Sequence, residues 1–236
     1  MIGVLLAAGA SSRMGEPKAL VMSRGQSFLV RGVRALWTSC DTVITVVGHQ
    51  GEQVCEAAGE EFERLVERGL LAPERPAVKK GKKSSASELE VRFAFNKRWP
   101  DGMLSSAKVG LAAALKSEPR GILLMPVDQP EVKGETVQAL AAMLAEALGA
   151  FGGKAGSTFA YGLVPRWKGQ RGHPVAMSTG LAAGIVKDRG ARDLSDAIRR
   201  SARLIGYIDV TDKGVVANLN TPEGVRGAAK TKQRAR

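Results

Sequence analysis

The chain has 236 residues, of which 44% are hydrophobic and 25% charged, which excludes a mainly disordered polymer and suffices for the core of an α/β domain. Its formal net charge is +12, gathered partly at Lys79, Lys80, Lys82 and Lys83 and partly at Lys230, Lys232, Arg234 and Arg236; such runs read as solvated segments, and a basic surface also draws in anionic substrates. Two cysteines, Cys40 and Cys55, exclude a disulfide framework and suit a reducing, cytoplasmic setting, two histidines, His49 and His173, exclude a zinc-spaced cluster, and no apolar run approaches the ~20 residues of a membrane span.

The opening stretch MIGVLLAAGA has the hydropathy of a signal core but no basic segment before it. It runs straight into Ser11-Ser12-Arg13 and reads as a buried strand, Ile2 to Leu6, with its loop. A helix is expected from Ser27 to Trp37, with Phe28, Leu29, Val33 and Leu36 on one face and Ser27 as its cap. Thr42 to Val47, rich in β-branched residues, reads as a strand, and Glu52 to Arg68 as a helix. Residues from about 70 to 90 carry Pro73, Pro76, the lysine run and three serines, and read as a surface insertion. Val91 to Phe95 is a further strand. Ser105 to Lys116 is a helix with Val109, Leu111, Ala112 and Leu115 inward and Ser105 or Ser106 as cap. Gly121 to Val127 is the clearest central strand, apolar on both faces, and Glu135 to Leu148 is an alanine-rich helix. Strands are expected at Thr158 to Val164, Pro174 to Met177 and Leu204 to Ile208, and helices at Ala191 to Ser201 and Pro222 to Ala229. This alternation predicts an α/β fold, a mostly parallel sheet covered on both faces. One domain spans 1–228, and 229–236 forms a basic, disordered tail.

The informative loop follows the first strand: Leu6-Ala7-Ala8-Gly9-Ala10-Ser11-Ser12-Arg13-Met14-Gly15-Glu16-Pro17-Lys18. Ligands of open parallel sheets bind at the carboxyl ends of strands. Small residues there let the backbone approach a ligand, consecutive N–H groups form an anion nest, and Arg13 and Lys18 add charge. The string is neither GxxxxGK[ST] nor GxGxxG. A Gly/Ser loop standing alone is more often a plain turn.

The full string LAAGASSRMGEPK resembles the signature of the MobA-like NTP transferases, the nucleotidyltransferases that include molybdenum cofactor cytidylyl- and guanylyltransferases. Further segments match in order. NKRWPDGMLSSAKVGL, Asn96 through Leu111, is similar to the family's second nucleotide-contacting segment. Met125-Pro126-Val127-Asp128-Gln129-Pro130 is similar to its metal-binding DxP segment. Gln170-Arg171-Gly172-His173-Pro174-Val175 resembles the RGHPV segment of the cytidylyltransferase branch. Asp188 through Arg192 and Asn218 through Glu223 complete the set. The resemblance covers nearly the whole chain apart from the insertion and the tail, and implies a single three-layer, Rossmann-like nucleotidyltransferase domain.

It also implies roles. Attack by a phosphate oxygen on the α-phosphorus of a nucleoside triphosphate releases pyrophosphate, and the protein's part is alignment and charge neutralisation. Lys18, Arg13 and Asp128 are the catalytic candidates. Leu6, Ala7, Ala8, Gly9, Ser11, Ser12, Arg13 and Lys18, with Gly102, Met103 and Ser106, would hold the nucleotide. Arg171, Gly172, His173, Asp188 and Arg189 would bind the acceptor, with Arg192 nearby. Asp128, Asn218 and Asn220 would hold Mg²⁺, which takes one or two carboxylates together with phosphates and waters. The plainer readings are a turn at Asp128 before Pro130, surface cations at Lys18 and Arg13, and a structural histidine at position 173.

The favoured nucleotide is CTP and the favoured acceptor molybdopterin, with a molybdoenzyme as a further partner. The cytidylyltransferase branch carries Asp at the places of Asn218 and Asn220, so this chain lacks two negative charges there. That departure leaves two alternatives: a sugar- or alditol-phosphate nucleotidyltransferase, and a nucleotide-binding factor that assists a molybdoenzyme without catalysis. Nucleic-acid binding rests on net charge alone, without aromatic interleaving.

Overall fold

The computed structural model describes residues 1–11, 15–70, 89–150 and 158–220. Ser12, Arg13, the lysine-bearing part of the insertion, the expected helix Pro222–Ala229 and the basic tail lie outside the described residues.

In chain order the elements are β1 (Ile2–Leu6), the short antiparallel pair β2 (Met22–Ser23) and β3 (Gln26–Ser27), α1 (Phe28–Trp37), β4 (Thr42–Val47), α2 (Gly51–Glu67), β5 (Glu90–Phe95), α3 (Met103–Leu115), β6 (Ile122–Pro126), α4 (Gly134–Ala150), β7 (Tyr161–Trp167), β8 (Gln170–Arg171), β9 (Val175–Met177), α5 (Thr179–Lys187), α6 (Leu194–Ser201) and β10 (Leu204–Asp209). The main sheet runs β10-β7-β9-β6-β1-β4-β5, with β8 paired to β7. Its pairings are parallel except those of β9 with β6 and β7 and of β8 with β7. No helix among the described residues is long and apolar enough to cross a membrane.

The pleat of β1 divides the core in two. Leu5 joins a cluster with Phe28, Leu29 and Leu36 of α1, Val54 and Ala58 of α2, and Leu140 and Leu144 of α4. Ile2, Val4 and Leu6 face the opposite cluster, with Leu111 of α3, Leu181 and Ile185 of α5 and Ile198 of α6. The result is helices, sheet, helices: three layers, as expected for an α/β fold. Ser27 caps α1 as expected, accepting from the Val30 N–H at 3.2 Å.

Three local expectations are corrected. α3 begins at Met103, with Gly102 at the cap position and no capping side chain. Ser105 is drawn instead to the carbonyls of Arg98 (2.8 Å) and Gly102 (2.9 Å), and Ser106 accepts from Asn96 at 3.0 Å. The buried face of α3 is Ser106, Ala107, Gly110, Leu111 and Ala114, so Val109, Ala112 and Leu115 are only partly covered. Gly110 sets that register: a Cβ there would lie 2.5 Å from Val4 Cγ1 and 2.7 Å from Val46 Cγ2, so the helix rests on the sheet through its smallest residue. α6 starts at Leu194, three residues later than expected, because the Asp193 carboxylate caps it by accepting from the Asp196 N–H at 2.8 Å. α5 is a helix that hydrophobic spacing does not reveal, since two glycines in nine residues mute its periodicity.

Candidate active site

From β1 the chain crosses through α1 to β4 on one side; from β6 it crosses through α4 toward β7 on the other. Adjacent strands whose connections diverge leave a crevice at their carboxyl ends. A cleft of about 230 Å³ opens there. Leu6, Ala7, Ala8, Gly9, Ser11 and Lys18 form one wall, Trp99, Gly102, Met103 and Ser106 a second, and Pro126, Val127 and Asp128 the floor.

Each wall is anchored by the residues that form it. Ala7 still donates to Val46 O at 2.8 Å and Val127 to Leu6 O at 2.9 Å, so the loops leave the sheet only beyond those positions. Ser11 sits in the left-handed region (φ 54°). Its hydroxyl accepts the Lys18 N–H at 2.7 Å and donates to the Gly9 carbonyl at 3.4 Å, tying the two ends of the first loop together. On the second wall, buried Asn96 donates to Ser105 (2.9 Å) and Ser106 (3.0 Å) and fixes the first turn of α3. With no side chain capping it, the positive end of this 13-residue helix faces the cleft. Trp99 lies edge-on to His49, ring centres 5.0 Å apart. Gly48 fits between them and the first loop: a Cβ there would lie 2.6 Å from Trp99 Cβ and 2.8 Å from the Ala8 carbonyl.

Three segments distant in sequence meet at the floor. Lys18 Nζ donates to Asn220 Oδ1 at 2.7 Å and lies 3.6 Å from Asp128 Oδ2. The Leu219 N–H donates to the Asp128 carbonyl at 2.8 Å, and Gln129 Nε2 to Asn218 Oδ1 at 2.7 Å. Burial raises the carboxyl pKa of Asp128 above its ordinary value, and the Lys18 ammonium only partly counters it. A desolvated carboxylate beside an amide oxygen is a donor set that suits a hard divalent cation completed by phosphate oxygens and water. Asn218 is engaged by Gln129 instead, and no group of three or more His, Cys, Asp or Glu side chains gathers among the described residues.

The expected acceptor residues are not among those lining this cleft. Arg171 is exposed on β8. Gly172 packs where a Cβ would collide with the Val215 carbonyl, and the His173 N–H donates to the same carbonyl at 2.9 Å. His173 is partly exposed as a residue, yet its Nδ1 is buried without a hydrogen-bond partner, and burial lowers its pKa to about 4. Asp188 accepts from Arg200 Nε at 2.8 Å and from the N–H groups of Gly190 (2.8 Å) and Ala191 (3.0 Å). Its carbonyl accepts from Lys108 Nζ. Arg189 and Arg192 are exposed. Sequence reading passed over Trp99, Pro126, Val127 and Gln129 as individual residues. Pro126 and Val127 line the cleft because the end of β6 meets the crevice, Gln129 is buried just beyond them, and only the segment around Trp99 hinted at that ring.

Comparisons with known proteins bear on the family and the fold. The family model for the MobA-like NTP transferase domain matches residues 3–204. No curated protein matches significantly. Among solved structures, a nucleotidyl transferase from Methanothermobacter is 19% identical, with 100% of this chain and 98% of that one covered and a TM-score of 0.67. Rv0371c from Mycobacterium tuberculosis in complex with manganese is 19% identical, covers 97% of both chains and has a TM-score of 0.62. Molybdopterin-guanine dinucleotide biosynthesis protein A from Archaeoglobus fulgidus is 17% identical, covers 99% of this chain and 100% of that one, and has a TM-score of 0.58. At such identities these likenesses speak to the fold alone. The family match runs from the first strand to the beginning of the last, and by it the chain belongs to the MobA-like NTP transferases and is a nucleotidyltransferase that uses a nucleoside triphosphate.

Proposed function

We propose that the protein transfers a nucleotidyl group, CMP from CTP, to a phosphate oxygen of molybdopterin, with Mg²⁺ held at Asp128 and Asn220, in the cytoplasm. The observation that carries this reading is the convergence of Lys18, Asp128 and Asn220 at the carboxyl ends of β1 and β6, beneath the uncapped end of α3. An acceptor oxygen attacks the α-phosphorus, the bond to the β-phosphate breaks, and pyrophosphate leaves with the electron pair. Lys18 stabilises the charge that develops on the α-phosphoryl oxygens. Backbone N–H groups of the first loop and the positive end of α3 orient the triphosphate. Trp99 and Met103 offer apolar surface to the base, and Arg13 and Ser12 belong to the set of residues that bind the triphosphate. A divalent ion, when bound, neutralises triphosphate charge and assists departure of pyrophosphate. Arg171, Gly172, His173, Asp188 and Arg189 frame the acceptor.

The cytidylyl choice rests on the LAAG and RGHPV segments; an ion at the floor is in keeping with the manganese complex of Rv0371c, and molybdopterin with the biosynthesis protein from Archaeoglobus. Measuring pyrophosphate release with each of four nucleoside triphosphates and Mg²⁺, with and without molybdopterin, tests the reading. Release with CTP that requires molybdopterin is expected. Release that requires a sugar or alditol phosphate instead would replace the acceptor. A second reading, binding without turnover, draws on the engagement of both amides, Asn218 by Gln129 and Asn220 by Lys18; nucleotide binding with no release under any condition is its signature.

A further inference from the structure

The floor of the cleft already contains a cation. Lys18 Nζ holds Asn220 Oδ1 at 2.7 Å and stands 3.6 Å from Asp128 Oδ2. It thereby occupies the oxygens that the proposed function assigns to a metal. Around it the formal charges of Lys18 and Asp128 cancel, and Asn220 adds none. Asn218, the remaining oxygen donor, is turned onto Gln129 at 2.7 Å. Lys18 is also fixed from behind, its N–H bonded to Ser11 Oγ at 2.7 Å, so its stem starts from a defined point. The side chains of Lys18 and Asp128 are 23% and 17% exposed, which weakens solvent screening of their interaction.

A free divalent cation approaching this floor meets a neutral site with a single carboxylate, already paired, and must shed hydration to enter. Mg²⁺ dehydrates reluctantly and is held through one or two carboxylates completed by phosphate oxygens and retained waters, and here the one carboxylate already has a cation beside it. A metal–triphosphate complex differs on both counts: it brings its own oxygens, and its negative charge gives the ammonium another partner. We infer that the divalent ion enters this cleft only as a complex with nucleoside triphosphate, and that Lys18 is the counter-cation of Asp128 until that complex draws its ammonium onto phosphate. The inference rests on Asp128 as metal ligand. It assigns Lys18 a duty in the nucleotide-free protein separate from catalysis, and it gives Asn220 a reason to be an amide: a carboxylate there would leave the floor with net negative charge and an affinity for bare metal.

The test is manganese binding to the full chain, followed by water-proton relaxation, with manganese alone and with manganese plus an equimolar mixture of the four nucleoside triphosphates. Relaxation enhancement distinguishes protein-bound ion from ion held by free nucleotide. For the wild type, manganese alone is expected to bind at least about tenfold more weakly than with nucleotide. Lys18→Met, which removes the ammonium and keeps the bulk, is expected to tighten binding of manganese alone by about tenfold or more, and Asn220→Asp to do so in the same direction. Equal affinity with and without nucleotide in the wild type overturns the inference, as does unchanged bare-metal affinity in both variants when circular dichroism shows them folded. Asp128→Ala separates this from the underlying assignment: protein-bound manganese that persists in that variant removes Asp128 as ligand, and the inference with it.

Discussion

The two halves of the chain present their polar groups differently. In the half built around β1 and β6, they converge on a cleft: Lys18, Asp128 and Asn220 meet one another, and the first turn of α3 faces them uncapped. In the half that contains residues 171–173 and 188–200, they are spent on the fold. The Asp188 carboxylate is shared among Arg200 and two backbone N–H groups, and Gly172 and His173 hang from the Val215 carbonyl. The first set pairs side chain to side chain inside a cleft, where an incoming ligand can take over the partners, whereas the second is paired largely to backbone groups and to a neighbouring helix, and so holds shape. Substitutions in the first region should therefore change nucleotide chemistry with little effect on stability, and substitutions in the second should lower stability and leave nucleotide binding intact, with any effect on turnover coming through the acceptor.

The sharpest way to break this contrast is Asp128→Ala, expected to lower metal-dependent kcat/KM by roughly 10³-fold while circular dichroism and Tm stay near wild type; unchanged turnover would remove the floor of the cleft from the reaction. Lys18→Ala is expected to cost about 10²-fold in kcat with a smaller change in nucleotide affinity. A loss confined to affinity, seen by titration calorimetry, would reassign Lys18 to ground-state binding. On the other side of the comparison, Asp188→Ala should lower Tm by a few degrees and leave nucleotide affinity intact; an equal loss of affinity would show that this loop reaches the donor cleft. The subtlest effect belongs to His173. Its folded pKa, about 4, lies below the ~6.5 of an unfolded histidine, so the unfolded chain takes up the proton first. The histidine's contribution to stability is full above pH 6.5 and lost progressively as pH falls toward 4. His173→Gln should flatten the acid limb of a Tm-against-pH curve within that window, and an unaltered limb would mean the imidazole is more hydrated than its buried Nδ1 implies.

The same contrast decides what sequence could reveal. The alternation of elements, the β1 loop and Asp128 were legible because strand period, small residues and a carboxylate at a strand end each leave a local mark. Backbone-built sites advertise themselves in this way. The partnerships were not legible. Nothing local couples Lys18 to Asn220 across 202 positions, or turns Asn218 from a metal toward Gln129. α5 stayed hidden because its packing depends on small residues, which carry little periodic signal. The cap of α3 was misread because Ser105 and Ser106 have the right chemistry for capping but were recruited by Asn96, whose position is set by the β5 edge rather than by the helix.

Gly48 has a consequence for specificity. Trp99 sits where it does because position 48 carries no side chain, with the Ala8 carbonyl behind it. A single added carbon would meet two atoms fixed by backbone, Trp99 Cβ at 2.6 Å and the Ala8 carbonyl at 2.8 Å, so its relief requires the segment carrying Trp99 and the first loop to move apart. Position 48 thus works as a gauge for the spacing of the two walls: Gly48→Ala changes the room beside Met103 without adding or removing a charge.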